Sequence, residues 1–424
     1  MLADLLKNKN IKNGLWLYVL QAFNTIIPLF TIPYITRLLG TGRYGVFSIA
    51  LNIIGYLQVL VEYGFEMSAT REVAVSKDEK GDICALFTSV IVSRMLLMVL
   101  AVVIGIGYLI VKKADATLRT CFFIMLICLM GYCIQQNWLF QGMQEMKYIT
   151  IVSVIARITS TALIFLLVKR PEDLALYCLL YTVSPLLSGI IGFLIARIRY
   201  RVHFVRITFS QIAEKLKTGW YVFTTQLSSR VFASIGITFL GIFAAESEVG
   251  IYSAVYKLPQ LMIFAWSPIS QVMYPVVSQR MGVSFPEGEA LVRKIRNIFL
   301  PVFIVLCAGI CLFAKQIVGL AFGAEYLRGY YWVYPMMAWI VLSIANNFMG
   351  IQTLLASSHD REYSVCFQIG VVTTIVLNYV LIRLFHGDGA SIAPMISEAV
   401  LSVLLIIQIR RIRKSYPRGG VNTQ

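Results

Sequence analysis

Charge is what this chain has least of. Of its 424 residues only 14% are charged, and the acids are the scarcer sign, 21 Asp and Glu against 37 Lys and Arg. A soluble domain needs far more polar surface, so that class is excluded first. Histidine is nearly absent: His203, His359 and His386 stand far apart and cannot form a zinc site. Eight cysteines (Cys84, Cys121, Cys128, Cys133, Cys178, Cys307, Cys311, Cys366) lie in or beside apolar runs without CxxC spacing. They read as small core residues, not as metal ligands or a disulfide framework. No phosphate-binding loop, nucleophile elbow or HExxH pattern occurs, so neither catalysis nor a cofactor is expected. The first apolar run has no small-residue cleavage site and is expected to be retained.

Apolar sequence is abundant: 58% of the residues are hydrophobic, and the mean hydropathy is +0.76. Runs of about 20 apolar residues recur throughout, each able to cross a ~30 Å hydrocarbon core as a helix. The expected fold is therefore an all-α polytopic membrane protein. Twelve spans are expected, at 14–36, 44–65, 84–111, 119–140, 149–168, 174–196, 219–244, 249–276, 297–322, 331–356, 363–385 and 389–409. An even number puts both termini on one side, and 23 of the 37 basic residues fall in the segments of that side. The positive-inside rule makes that side cytoplasmic. The net charge of +16 thus reports topology, and nucleic acid is not an expected partner. No external loop is long enough to hold a folded domain, and "ESEV" between spans 7 and 8 is the shortest kind.

The chain also repeats itself. "IKNGLWLYVLQAFNT" from Ile11 aligns without a gap to "LKTGWYVFTTQLSSR" from Leu216, and at the same offset of 205 "YGVFSIA" (from Tyr44) meets "VGIYSAV" (from Val249). Gly14 pairs with Gly219, Gln21 with Gln226, Gly45 with Gly250 and Ser48 with Ser253. Six spans separate the copies, so both have the same orientation. We expect an N-terminal lobe at 1–205, a C-terminal lobe at 206–410, and a basic cytoplasmic tail at 411–424. Such lobes are related by a pseudo-two-fold axis along the membrane normal, with a transport pathway at their interface.

Polar residues form stripes inside these runs. Gln21, Asn24, Thr25 and Pro28 share one face of span 1, and Gln226, Ser229, Arg230 and Ala233 occupy the matching face of span 7. Ser48 and Asn52 of span 2 become Ser253 and Lys257 in span 8, with Gln260 one turn on. Interhelical hydrogen bonding would explain the uncharged residues as well as a wet cavity does. The cations favour the cavity. Arg94, Arg157, Arg230 and Lys257 lie well inside spans, and each costs at least about 2.5–3.5 kcal/mol at the centre of a lipid-facing helix. Arg230 is eleven residues from the expected start of span 7 at 219, ~16 Å along a helix axis. Glu398 is the one acid expected near the centre, while Glu62 and Glu66 fall toward the cytoplasmic end of span 2. An ion pair to Glu398 would account for one cation and not for the set. A cationic interior selects anions, and the arginine fork suits phosphate. Small cations or cationic drugs would require carboxylates instead.

Three stretches together resemble a known family: "PYITRLLGTGRYGVFSIA" from Pro33, "EYGFEMSATREVA" from Glu62 and "WLFQGMQEMKYIT" from Trp138. They are similar to the Wzx-type polysaccharide flippases of the multidrug, oligosaccharidyl-lipid and polysaccharide exporter superfamily. The first loop departs from the pattern, with "GTGRYG" in place of Gly-Pro-Glu-Gly-Tyr-Gly. The resemblance implies a V-shaped, two-lobed bundle with a central cavity, in the bacterial inner membrane. It implies a non-enzymatic carrier that moves an undecaprenyl-diphosphate-linked oligosaccharide from the inner to the outer leaflet by alternating access. A cationic cavity is part of that description, and membrane lipids, a polysaccharide polymerase and chain-length machinery are the partners it implies.

On this reading Arg230, Lys257, Arg94 and Arg157 bind the diphosphate, and Gln21, Asn24, Thr25, Asn52, Gln226 and Ser229 line the cavity for the glycan. Glu398, Glu62 and Glu66 are candidates for coupling or ion pairing. The alternatives are a drug or metabolite exporter of the same superfamily, or a membrane-embedded polysaccharide polymerase or ligase, which would carry its acid–base residues in a sizeable external loop.

Overall fold

Inside hydrocarbon every backbone N–H and C=O must be paired within the chain, so runs this apolar are confined to helices. The computed structural model describes residues 9–75 and 80–415, with no account of the side chains of 9–12, 80–82 and 415. Lys7, Lys77, Arg418 and the tail beyond 415 lie outside the described residues. No strand occurs among the described residues. Among the described residues ten helical stretches are long and apolar enough to cross a membrane, and the chain is an all-α, multi-pass membrane protein.

Two of the ten are longer than one crossing needs, and each carries a break. Helix α1 (Lys9–Glu62) is interrupted at Gly40, where φ is +72°, a value that favours glycine. The expected loop "GTGRYG" is thus a single-residue break, and residues 41–45 are already helical. The last helix (Asp360–Ser415) breaks at His386, with φ +49°. The "ESEV" stretch is likewise not a loop: it forms the first turn of a helix (Glu246–Val255) whose N-cap is Ala245. Gly40 and Ala245 are separated by the repeat offset of 205, so the backbone leaves the helix at equivalent positions of the two copies.

The contacts divide the chain into two compact units, 1–234 and 235–424. In the first, α2 (Phe65–Val75), α3 (Lys80–Val111), α4 (Ala116–Met125), α5 (Ile127–Ile134), α6 (Asn137–Gly142), α7 (Met146–Leu167) and α8 (Leu174–Arg199) follow α1. Helix α9 (Phe209–Phe243) begins in this unit and runs past its limit. The expected span 119–140 is therefore three short helices, α4 to α6, within one stretch at Ala116–Gly142. A core built on Phe65, Phe87, Ile91, Trp138 and Leu139 joins the α1–α2 corner to α3 and α6.

The second unit holds α10 (Glu246–Val255), α11 (Lys257–Val283), α12 (Phe285–Leu312), α13 (Ala314–Phe322), α14 (Val333–Met349) and α15 (Asp360–Ser415). Helix α14 ends in a π-helical turn at Gly350–Leu354, closed by Ser358 at φ +61°. Trp266, Phe303 and Phe348 pack there on α11, α12 and α14, with ring centroids 5.1–5.5 Å apart. Seven of the eight cysteines are buried and Cys311 is half-buried.

Candidate functional site

The polar stripes survive in apolar helices because their hydroxyls bond back to their own turns. On α1, Thr25 donates to Gln21 O (3.1 Å), Thr31 to Ile27 O and Thr36 to Ile32 O. On α9, Thr224 and Thr225 donate to Tyr221 O, Ser228 to Thr224 O (2.8 Å) and Ser229 to Thr225 O (3.0 Å). Each hydroxyl keeps oxygen lone pairs that can still accept a bond. Gln21 and Asn24 are exposed, Thr25 and Gln226 half-buried, and Ser229 exposed, whereas Asn52 is buried.

The arginines of the first unit have different surroundings. Arg94 is only 3% exposed. Its Nη1 donates to Gln135 O (2.7 Å) and to Tyr132 O (3.3 Å) where α5 ends, the latter carbonyl also accepting the Gln135 backbone N–H. A cation at that end also meets the negative pole of the helix dipole. Glu62 and Glu66 are the acids within electrostatic reach of Arg94, and the Gln58 amide donates to the Glu62 carboxylate (2.9 Å).

Arg157 on α7 donates through Nη1 to Asn24 O at 3.3 Å. The cause can be read from α1. Pro28 has no N–H, so the carbonyl four residues earlier, that of Asn24, lacks its helical donor. The guanidinium supplies the missing proton.

Arg230 on α9 differs from both in lying against an aromatic ring and a glycine. It is half-buried, its Nε, like that of Arg94, is buried without a hydrogen-bond partner, and Cζ lies 5.7 Å from the centroid of the Tyr56 ring. The side chain rests on α1 at Gly55, where a Cβ would overlap the guanidinium. Tyr132 and Tyr181 lie within its electrostatic reach, and Tyr181 is within reach of Arg157 as well. The structure thus brings Arg157 and Arg230 to one tyrosine-lined region. Gly55, Tyr56, Tyr132 and Tyr181 were not expected from the sequence. A glycine in the middle of an apolar helix was the available signal, since it is a poor helix residue unless something lies against it.

In the second unit Lys257 bonds Gln260 (3.2 Å), in keeping with their shared stripe. Glu398 is buried, with neutral donors around it. Asn346 Nδ2 bonds both its backbone carbonyl (2.9 Å) and its carboxylate, and Ser402 closes on Asn346 Oδ1 (2.7 Å). Ser343 and Trp339 also bond the carboxylate. Among the described residues no group of three His, Cys, Asp or Glu could hold a metal ion.

The three motif stretches pack. Tyr63 and Gly64 both take positive φ (+45° and +74°), turning α1 into α2. Gly64 and Tyr63 bear on α9, where Tyr63 stacks on Phe223 with centroids 4.7 Å apart, and Glu72 pairs with Lys215. Thr70 donates to Trp138 O (3.1 Å), and Gly142 sits against Val73. Beyond α6, Glu145 accepts from Arg199 Nη2 (3.0 Å) and Nε (3.1 Å) and from the Tyr200 hydroxyl (2.7 Å).

Comparison with known proteins gives these arrangements a context. The profile of a family described as "Polysaccharide biosynthesis protein" matches residues 11–281. The chain is 24% identical over 399 residues to a protein of Escherichia coli (strain K12) named as an O-antigen transporter, covering 94% of this chain and 96% of that one. It is 21% identical over 400 residues to a protein of Haloferax volcanii named as a low-salt glycan biosynthesis flippase, covering 93% and 82%. Among solved structures it is similar to the lipid II flippase MurJ in an inward closed conformation, with TM-score 0.74, 14% identity, and 94% and 87% of the chains covered. It is also similar to an inward-facing multidrug resistance MATE family transporter of the MOP superfamily, with TM-score 0.67, 15% identity, and 92% and 96% covered. These two likenesses identify the fold.

Proposed function

Because this chain belongs to the polysaccharide biosynthesis protein family, we propose that it is a flippase for a lipid-linked glycan. Its relatives are named as transporters and flippases, and the chain is a transport protein rather than an enzyme. The proposed cargo is an undecaprenyl-diphosphate-linked oligosaccharide repeat unit, carried from the inner to the outer leaflet of the bacterial inner membrane by alternating exposure of its site. Twelve crossings, lobes at 1–205 and 206–410, a basic tail at 411–424 and cytoplasmic termini are part of the proposal. The breaks at Gly40 and His386 support it, since each divides one long helix into two lengths that could cross. A polymerase and chain-length machinery would be downstream partners.

One observation carries the site assignment. Arg94 and Arg230 both have a buried Nε without a hydrogen-bond partner, but the Nη1 groups of Arg94 and Arg157 meet carbonyls, whereas the Arg230 guanidinium rests on Gly55 and faces the Tyr56 ring. A desolvated cation with unused donors is stabilised by an oxyanion more than by water. Arg230 is therefore the principal diphosphate ligand, with Arg157 near the same tyrosine; Lys257, in the second unit, is a separate candidate for anion binding. Gln21, Asn24, Thr25, Gln226 and Ser229 offer acceptors and donors to sugar hydroxyls. Arg94 and Asn52, both buried, hold the shape of the site. Glu62, Glu66 and Glu398 are the titratable groups from which a coupling residue would be drawn.

The test is transport of a defined polyprenyl-diphosphate disaccharide in proteoliposomes. Losing one charge-assisted pair should lower the rate of Arg230→Ala by on the order of tenfold or more at unchanged abundance. Arg230→Lys should be milder. Wild-type transport by Arg230→Ala would remove the diphosphate role, and a cationic-drug substrate for the wild type would favour the exporter reading.

A further inference from the structure

Gly55 sits in the interior of α1 and is buried. Glycine there is less favourable than alanine by about 1 kcal/mol, so its place in a spanning helix calls for a physical reason. The reason is on α9. A Cβ at position 55 would overlap Cζ and Nη2 of Arg230 and stand 2.9 Å from its Nε. The guanidinium carbon also lies 5.7 Å from the centroid of the neighbouring Tyr56 ring, within the range of a cation–π contact.

We infer that Gly55 is the positioning residue for Arg230: by having no side chain it leaves a slot one methyl deep, in which the flat guanidinium lies against α1. The inference rests on reading Arg230 as the anion ligand and adds what sets its geometry. A long arginine side chain has many rotamers, and ordering it on binding costs affinity. Set against a bare backbone and within cation–π range of an aromatic ring of the same helix, the planar group is restricted before the ligand arrives. Its terminal nitrogens can then act as a two-donor edge, which matches two oxygens of one phosphate group better than it matches a single-point acceptor. A lysine would enter the same slot without filling it, because it has no second terminal nitrogen. The ligand class is a tetrahedral oxyanion that presents two oxygens to one guanidinium.

The experiment uses the full chain in proteoliposomes, with a polyprenyl-diphosphate disaccharide as probe, and reads initial rate against donor concentration together with detergent-extracted abundance. Gly55→Ala should lower the rate at limiting donor by roughly tenfold or more, the size of a lost charge-assisted contact. Adding Arg230→Lys to Gly55→Ala should recover part of that loss, although Arg230→Lys alone is deleterious, because the lysine lacks the nitrogen that collides. A wild-type rate in Gly55→Ala while Arg230→Ala is inactive overturns the positioning role and leaves the ligand assignment standing. Wild-type rates in both overturn the assignment itself. Failure of the double variant to improve on Gly55→Ala also overturns the positioning role. If Gly55→Ala does not accumulate, the pair Gly55→Ala with Arg230→Ala decides: recovered abundance shows that the collision is with that guanidinium, and no recovery overturns the inference.

Discussion

A guanidinium inside hydrocarbon needs partners, and the arginines of the first unit find different ones. Arg94 meets the carbonyls of Tyr132 and Gln135 at the end of α5, and Arg157 meets the carbonyl that Pro28 leaves without a donor. Removing Arg94 would leave Gln135 O without its side-chain donor and open a cavity where the guanidinium lay, while Tyr132 O keeps the Gln135 N–H. Arg94→Ala should therefore cost about 1–3 kcal/mol of stability. It should appear as a lower melting temperature and abundance in detergent, with the transport rate per folded molecule largely kept; a loss of rate at normal abundance would move Arg94 into the binding site. The Pro28–Arg157 relation gives a sharper test, because it predicts non-additivity. In Pro28→Ala an N–H returns to Asn24 O, and the structural need for Arg157 disappears. Arg157→Ala should then be less destabilising in the Pro28→Ala background, by about 1 kcal/mol. Equal penalties in both backgrounds would show that the contact is incidental. The cations were legible in the sequence as buried charges, but their partners were not. Arg94 depends on where α5 ends, and no proline or glycine marks Gln135. The proline beside Asn24 could be read from sequence, whereas which arginine reaches that carbonyl is decided by the packing of α7 on α1.

At the scale of elements, the motif stretches serve junctions between helices. Gly64 combines φ +74° with direct contact against Val222, so Gly64→Ala meets backbone strain and collision together. The strain alone is worth about 1–2 kcal/mol, and the variant should lose thermal stability while Gly14→Ala, which has open space around it, should not. A comparable melting temperature for both would refute the packing account of that motif. The junction at Glu145 adds a pH dependence. It lies between spanning stretches, and the Arg199 guanidinium, aided by the Tyr200 hydroxyl, holds its carboxyl below the usual carboxylate range against partial burial. A depressed pKa means that the stabilisation is present above the unfolded value, about 4.3, and is lost as the pH falls through the folded value. Melting temperature in detergent should decline over that acid range, and Glu145→Gln should flatten that part of the profile. An unchanged profile in the variant would assign the acid loss to other groups. Helix content was readable because twenty apolar residues in a row leave no alternative. The short breaks were not: "GTGRYG" and "ESEV" have loop composition, yet one positive-φ glycine and one extended alanine suffice for each turn.

For the whole molecule, the strongest signal in the sequence is the asymmetry of its basic residues, since the acids are too few to mask it. On the proposed twelve crossings, a bias of 23 of 37 toward the side of the termini would place the termini in the cytoplasm, because lysine and arginine resist translocation more than acids do. The repeat sharpens this expectation. On the twelve-crossing proposal, an offset of 205 with six crossings between copies would keep Gln21 and Gln226 in the same orientation, whereas an odd number would invert one copy. Accessibility of single introduced cysteines in intact cells tests both ideas, and the native thiols interfere little because seven of the eight are buried. Lys113 and Arg206 are exposed on opposite sides in the twelve-crossing topology. Lys113→Cys should react with a membrane-impermeant maleimide added outside, and Arg206→Cys only after the cells are opened. The reverse pattern would invert the topology, and labelling of both from outside would mean an even number of crossings between them, which would break the parallel relation of the two copies. That relation decides whether a site containing Arg230 can be presented to the two leaflets in turn. If the copies run parallel, residues on the matched polar faces of spans 1 and 7 are at the same membrane depth, and a phosphate bound at Arg230 stays at that depth while access to it changes sides.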